Sequence, residues 1–258
     1  MTAIDPARLE RDVEDVLALF PDMKRVTRRA EELMERYTDR TRLPGRSSTS
    51  KQRLTVPRPV VRELARGLVL RTASGIEEQT ELADSLWKSK HPELRRAATL
   101  MLSMRDDEGV AGLAERWARS CQRSDIRASL AGPGIRAWRS SHPELLLPHV
   151  EAWLEKPWTK LQAFALQCLV FTTIEPAFDD LPMVFRMLQP LKRFQRREVR
   201  TALIELMDVL IERSPAEAAF FLLEELENGG KTARRIARKT LPAFPAAQQR
   251  LIQRALST

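Results

Sequence analysis

The sequence predicts an all-α protein, built as an α-solenoid of paired antiparallel helices of the HEAT, armadillo or TPR kind. Helix-start signals recur along the chain, whereas strand signals are almost absent: there is one tyrosine, and no hairpin dipeptide separates alternating segments. A small residue and an aliphatic residue one turn later recur with a period of about 35 residues, which is typical of stacked two-helix repeats. Together these observations predict about 13 or 14 helices, curved into an array with a basic concave face.

The repeat is defined by five alanines, separated by 33, 34, 37 and 35 residues, each followed four positions later by Leu or Ile. The five pairs are Ala98 and Leu102, Ala131 and Ile135, Ala165 and Leu169, Ala202 and Leu206, and Ala237 and Leu241. This spacing suits the inner face of a closely packed helix, so we expect all ten side chains to be buried. A bundle of unrelated helices is the alternative.

In chain order, residues 1–37 are predicted to form N-terminal helices, the first beginning at Asp5 with proline next. Residues 38–53 are polar, basic and rich in Ser and Thr, which predicts a flexible loop that either follows a nucleic-acid backbone or is only a solvated linker. Residues 54–258 form the repeat array, in which Ser214 and Glu217 have the spacing of a capping box. We interpret residues 1–258 as a single domain.

The charge balance favours an anionic partner, because 43 Lys and Arg face 35 Asp and Glu, a net charge of +8. No apolar run is long enough to cross a membrane. The two cysteines and three histidines show no metal-ligand spacing, and His91 and His142, each in "HPEL", are interpreted as helix caps. We therefore expect a cytoplasmic monomer with no cofactor, no metal and no membrane association.

Basic residues cluster on the second helix of successive repeats, the helix that lines the concave side of a solenoid. The segment "LKRFQRREVRTALIEL", residues 191–206, has this character, and residues 231–241 repeat it one unit later. A solvated face is the alternative for each stretch alone; their recurrence favours a groove for DNA phosphates. The predicted DNA-binding residues are Arg96, Arg127, Lys160, Arg193, Arg197, Arg200, Arg234, Arg235 and Arg238.

Two finer predictions concern the placement of these side chains. Arg193, Arg197 and Arg200 have spacings of four and three, which would place them on one helix face, with Arg196 pointing about 100° away from Arg197. The residues two positions before each repeating alanine are expected at the edge of the buried face. These residues are Arg96, Ser129, Ala163, Arg200 and Arg235.

Several segments resemble the AlkD-like DNA alkylation repair proteins. "LADSLWKSKHPELRRAATLML", residues 82–102, is similar to the repeat that begins these proteins, and "LTVPRPVVRELARGL", residues 54–68, to the turn and helix before it. Residues 124–166 resemble their central segment, and the likeness extends over roughly residues 25–245. The resemblance implies a HEAT-like solenoid whose active members remove N3- or N7-alkylated purines without flipping the base into a pocket.

The resemblance also implies a site: a carboxylate near the sugar, two tryptophan faces and an arginine on the backbone. The tryptophan positions are occupied here by Ser124 and Glu205, the aspartate position by Ala128 and the arginine position by Ala163. All four differ, so we expect a divergent member that lacks the glycosylase site.

We therefore expect a DNA-binding protein that contacts the backbone of duplex or branched DNA without excising bases. Two alternatives remain open. A one-turn shift would offer Asp125 as the carboxylate and Trp158 as an aromatic face, giving an alkylpurine glycosylase with a rearranged site. The other alternative is a protein-interaction scaffold for acidic partners.

Overall fold

The computed structural model describes residues 4–38, 56–73, 75–228 and 230–257, and in this part of the chain all regular structure is helical. The α-helices are α1 (Pro6–Leu17), α2 (Met23–Arg36), α3 (Arg58–Arg71), α4 (Ile76–Lys88), α5 (Pro92–Leu102), α6 (Gly109–Ser120), α7 (Ser124–Ser129), α8 (Arg136–Ser141), α9 (Pro143–Glu155), α10 (Thr159–Thr173), α11 (Leu181–Leu188), α12 (Arg197–Arg213), α13 (Pro215–Glu227), α14 (Lys231–Thr240) and α15 (Ala246–Ser257). A π-helical turn, Leu130–Gly134, joins α7 to α8, and short 3-10 turns occupy Leu191–Arg193 and Leu241–Ala243. With α7 and α8 counted as one rod, the described residues form 14 helices, and the all-α prediction is confirmed.

The chain divides into two compact units. The first comprises Met1–Asp107 with Pro133–Ala137, and the second comprises Glu108–Gly132 with Trp138–Thr258. The N-terminal helices expected in residues 1–37 are α1 and α2. The predicted basic loop lies outside the described residues except for Thr38, whose hydroxyl donates to the Met34 carbonyl. The single-domain interpretation stays a prediction.

Helix packing within each unit follows the pattern of stacked helical repeats. In the first unit α1 packs on α2 and α3, α2 on α4, and α5 on both α3 and α4. In the second unit α10 packs on α6, α9 and α12, while α12 also packs on α13 and α14. Neighbouring helices therefore pair, and helices two apart in the chain stack, as a HEAT-like array requires.

The repeat found in the sequence corresponds to the core. Nine of its ten residues are at most 3% exposed. The exception is Leu241, which is only half-buried because α14 ends at Thr240 and Leu241 begins a 3-10 turn. One small residue and one aliphatic residue in each repeat are thus enough to mark the packed face of its second helix.

Helix caps follow the sequence in some places and not in others. His91 caps α5, its Nδ1 accepting the Glu93 backbone N–H at 3.3 Å, and Asp22 caps α2 in the same way. His142 and Ser214 occupy the predicted N-cap positions of α9 and α13, but neither side chain makes the capping hydrogen bond. Ser214 closes α12 as well as opening α13, with φ −148° and ψ 82°.

The π-helical turn before α8 is stabilised by a buried arginine. Pro133 lies inside this turn and has no N–H to donate, so helical hydrogen bonding is interrupted there. Arg139, only 6% exposed, donates through Nη1 to the carbonyls of Ala131 and Gly132 at 3.2 and 3.3 Å. Its Nη2 donates to Glu175 at 2.8 Å. Arg139 therefore links the irregular segment that follows α7 to Glu175.

Candidate nucleic-acid interface

Three helices of the second unit enclose a polar cleft of about 350 Å³, named here the central cleft. α7 and the loop before it, the middle of α10 and the first half of α12 form its walls, and α10 packs on both α7 and α12. Its lining residues are Gln122, Ser124, Arg127, Gln167, Arg197, Glu198, Thr201, Ala202 and Glu205.

Arg127 forms the buried floor of the central cleft rather than part of an exposed basic surface. It is 1% exposed, and its Nη2 lies 2.6 Å from Oε1 of Glu198. Its Nη1 donates to the carbonyl of Cys121 at 3.3 Å. The burial of Arg127 and its ion pair with Glu198 both argue against the predicted contact of Arg127 with phosphates.

Gln167 is a second buried polar group in the same wall. It is 7% exposed, and its Oε1 has no hydrogen-bond partner among the described residues. The Nε of Arg127 is likewise buried and unpartnered in the described part of the chain, so the cleft holds one spare acceptor and one spare donor. The only sequence signal for Gln167 is an amide in the otherwise apolar middle of α10, which the sequence analysis did not single out.

The carboxylate side of the central cleft lies on α12. Desolvation by the surrounding protein raises the pKa of Glu205, the nearby charge of Asp208 raises it further, and Arg127 opposes both effects. Desolvation also raises the pKa of Asp208. This side of the cleft therefore retains protons more readily than free carboxylates do.

The structure tests the geometry of the four positions implied by the resemblance. Ser124 and Glu205 line the central cleft together, and Ala128 lies half-buried on α7, beside Arg127. Ala163 is completely buried in α10, so its expected place at the edge of the packed face is wrong. The other members of that set are partly or fully exposed: Arg96, Ser129, Arg200 and Arg235.

The residues of the rearranged-site alternative lie apart. Asp125 forms a two-point ion pair with Arg123, with N–O distances of 3.0 and 2.7 Å, and it is not among the residues lining the central cleft. Trp158 and Lys160 line a different cleft, at the start of α10. The structure therefore does not bring Asp125 and Trp158 together around one substrate position.

The predicted common face of Arg193, Arg197 and Arg200 is also wrong. α12 begins only at Arg197, and Arg193 belongs to the preceding 3-10 turn. The Arg193 guanidinium donates to the Met187 carbonyl and lies over the Phe194 ring, 4.7 Å from its centroid, and burial lowers its pKa. Arg200 is half-buried, and its side chain donates to the Gln195 carbonyl. Of the three arginines, only Arg197 has a guanidinium without a hydrogen bond to the described residues.

The remaining predicted cations are distributed over both units. In the second unit α14 buries Ala233, Ile236 and Ala237, and on its other side Arg235 and Arg238 are exposed and Arg234 half-exposed. α14 packs on α12 and on the turn Leu191–Arg193. In the first unit Arg96 lies on α5 and is held by an ion pair with the buried Glu93.

Comparison with known proteins identifies one family. The model of the DNA alkylation repair enzyme family matches residues 25–241. No curated protein and no solved structure matches the chain. Among the described residues, no helix is long and apolar enough to span a membrane, and no three His, Cys, Asp or Glu residues are grouped to hold a metal ion.

Proposed function

The chain belongs to the DNA alkylation repair enzyme family, and we propose that it binds the phosphate backbone of DNA without excising bases. Family membership is the observation that carries the choice of DNA as partner. The positive net charge of +8 supports it, because phosphate binding depends on unneutralised Lys and Arg side chains.

The basic surface proposed to contact the backbone is formed by α12 and α14 of the second unit. Arg197 at the start of α12 and Arg235 and Arg238 on α14 make no ion pair among the described residues. Because α12 packs on α14, their exposed cations lie on adjacent helices. Guanidinium groups that are solvated and free of carboxylates are the ones that can release counterions from DNA.

Loss of base excision is supported by the chemistry of the central cleft. The position expected to hold a carboxylate is Ala128, and neither Ser124 nor Glu205 offers an aromatic face. Glu205 places a carboxylate at one of the implied aromatic positions, but its pKa is raised, which weakens it as a stabiliser of a cationic sugar. Removing one preorganised electrostatic group commonly costs about 3 to 4 kcal/mol of transition-state stabilisation.

The test combines binding with base release. We expect fluorescence anisotropy with labelled duplex to show affinity that falls linearly on a log–log salt plot, with a slope near −4 to −5 for about five neutralised phosphates. The same protein, incubated with DNA that contains 7-methylguanine or 3-methyladenine, should release no base. Binding that is absent at low salt would overturn the proposal that the protein binds DNA and would favour a scaffold for acidic proteins. Robust base release would overturn the proposal that the protein does not excise bases.

A further inference from the structure

A second cleft in the same unit is lined by cations around a tryptophan. We name it the Trp158 cleft; it has a volume of about 590 Å³ and lies where the end of α6 meets the start of α10. Its lining residues are Arg116, Arg119, Ser120, Pro157, Trp158, Thr159 and Lys160. A volume of this size accommodates a ligand as large as a nucleotide.

The charges of the Trp158 cleft are all of one sign. Three of its lining residues are cations and none is an acid. Within the described chain, Arg116, Arg119 and Lys160 take part in no ion pair. A fourth cation, Lys156, lies with its Nζ 5.8 Å from the centroid of the Trp158 ring. The cleft therefore suits a negatively charged ligand, because no carboxylate among its lining residues neutralises the three cations.

The start of α10 adds backbone donors to these side chains. Trp158 occupies the N-cap position and makes no side-chain capping hydrogen bond, and the first helical bond to its carbonyl comes from the Gln162 N–H. The N–H groups of the first turn have no helical acceptor, and the positive end of a 15-residue helix lies there. Lys160 projects from this same turn.

The aromatic component distinguishes this cleft from a simple phosphate site. The guanidinium carbon of Arg119 lies 3.4 Å from the Trp158 ring centroid, which is a stacking distance. Arg119 is exposed and Trp158 half-exposed, so the layered pair presents planar surface to solvent. Unpaired bases stack on such tryptophan and guanidinium planes, and single-strand binding sites combine them with a cationic track.

We propose that the Trp158 cleft binds an unpaired nucleotide, with the base stacked on the Arg119–Trp158 pair and the phosphate held by Lys160 and Arg116. This inference rests on the proposed function for DNA as the ligand, and it specifies the substrate class as DNA with a single-stranded extension or branch. Lys160 and Gln167 are seven residues apart on α10, which places them on nearly the same side of that helix and about 10 Å apart along its axis.

The decisive ligands are a blunt duplex, the same duplex with a five-nucleotide thymidine overhang, and the same overhang made of abasic sites. We expect the wild-type protein to bind the thymidine overhang more tightly than the blunt end. Trp158→Leu should weaken binding of the overhang by about ten-fold, the effect of losing one base–aromatic stack, and change blunt-duplex affinity by less than about two-fold. Trp158→Phe keeps a stacking ring and should retain most of the preference.

Each contrary outcome overturns a different claim. If no ligand binds, the proposed function fails along with this inference. If blunt duplex binds and Trp158→Leu weakens all three ligands equally or none of them, the duplex function stands and the unpaired-nucleotide site is wrong. If the abasic overhang binds as well as thymidine and Lys160→Ala removes that gain, the cleft holds phosphate alone and base stacking is wrong. Thermal melts of each variant confirm that it is folded.

Discussion

Nη2 of Arg127 lies 2.6 Å from Oε1 of Glu198, and this ion pair joins α7 to the first turn of α12. The two partners differ in solvent access, because the Arg127 side chain is 1% exposed and the Glu198 side chain 37% exposed. The charge of Arg127 therefore depends on Glu198 for its compensation, whereas Glu198 keeps part of its hydration. This asymmetry makes the two possible deletions unequal.

Glu198→Ala should lower the free energy of unfolding by about 3 kcal/mol, the lower end of the cost of leaving a buried charge without its partner. Urea unfolding, with Glu212→Ala on the same helix as the control, measures the difference. Arg127→Met replaces the buried cation by an apolar side chain of similar length and should cost less than Glu198→Ala. A Glu198→Ala variant as stable as the control would mean that the pair contributes nothing.

Gly132→Ala should destabilise the second unit by about 1 to 3 kcal/mol, the range for overpacking a filled site. A Cβ added at Gly132 would lie 2.5 Å from the Phe171 ring, so either the ring or the π-helical turn must shift. Gly112→Ala is a matched control, because a Cβ there meets nothing within 4 Å. The prediction would be contradicted if Gly132→Ala unfolded at or above the temperature of the wild type. Restoration by the double variant Gly132→Ala, Phe171→Leu would identify the ring as the cause.

The repeat was predictable because one face of each second helix must be buried whatever the protein does. Ala165 and Leu169 show this: their spacing alone placed them in the core, where both are fully buried. The ion pair of Arg127 could not be predicted, because an arginine in a basic segment has the same sequence signature whether it meets solvent or a carboxylate 71 residues away. Arg193 was misplaced for a related reason. The spacing argument assumed one continuous helix, whereas the three residues Phe194–Arg196 are not helical and α12 begins only after them.

Glu205→Gln should stabilise the protein at neutral pH and leave its stability unchanged at low pH. The folded state raises the pKa of Glu205 through desolvation and the charge of Asp208, so it holds the proton more tightly than the unfolded chain does. The stability contributed by that proton is present at low pH and is lost as pH rises through the interval between the ordinary and the raised pKa. Melting temperatures from pH 4 to pH 8 should therefore converge at the acidic end and separate above it. Asp208→Asn should behave similarly, because desolvation raises its pKa too.

The resemblance implied a site of four positions, and the structure brings two of them to one cleft. The resemblance assigned Ser124 and Glu205 to its two tryptophan positions, and both side chains line the central cleft. Gln167 and Glu198 complete that cleft, and neither had a sequence signal strong enough to separate it from ordinary helix residues. Side chains that act through contacts between distant helices are visible only after those helices are packed.

Arg197→Ala and Arg196→Ala form the sharpest comparison for the proposed basic surface, because the two arginines are adjacent, exposed and free of ion pairs among the described residues. Arg197 starts α12 and lines the central cleft, whereas Arg196 precedes the helix as its N-cap residue and does not line the cleft. Arg197→Ala should weaken binding about equally on all DNA sequences and reduce the salt slope by about 1, as expected for one lost phosphate contact. Arg196→Ala should leave both quantities nearly unchanged.

Neither substitution should alter the free energy of unfolding by more than about 0.5 kcal/mol, since both side chains are exposed. Anisotropy titrations at four salt concentrations measure the DNA affinity and the salt slope of each variant. Arg186→Ala on α11 is the charge-matched control. Equal losses for Arg196→Ala and Arg197→Ala would show that the phosphates meet a diffuse cationic surface, and no loss for either would remove the start of α12 from the interface.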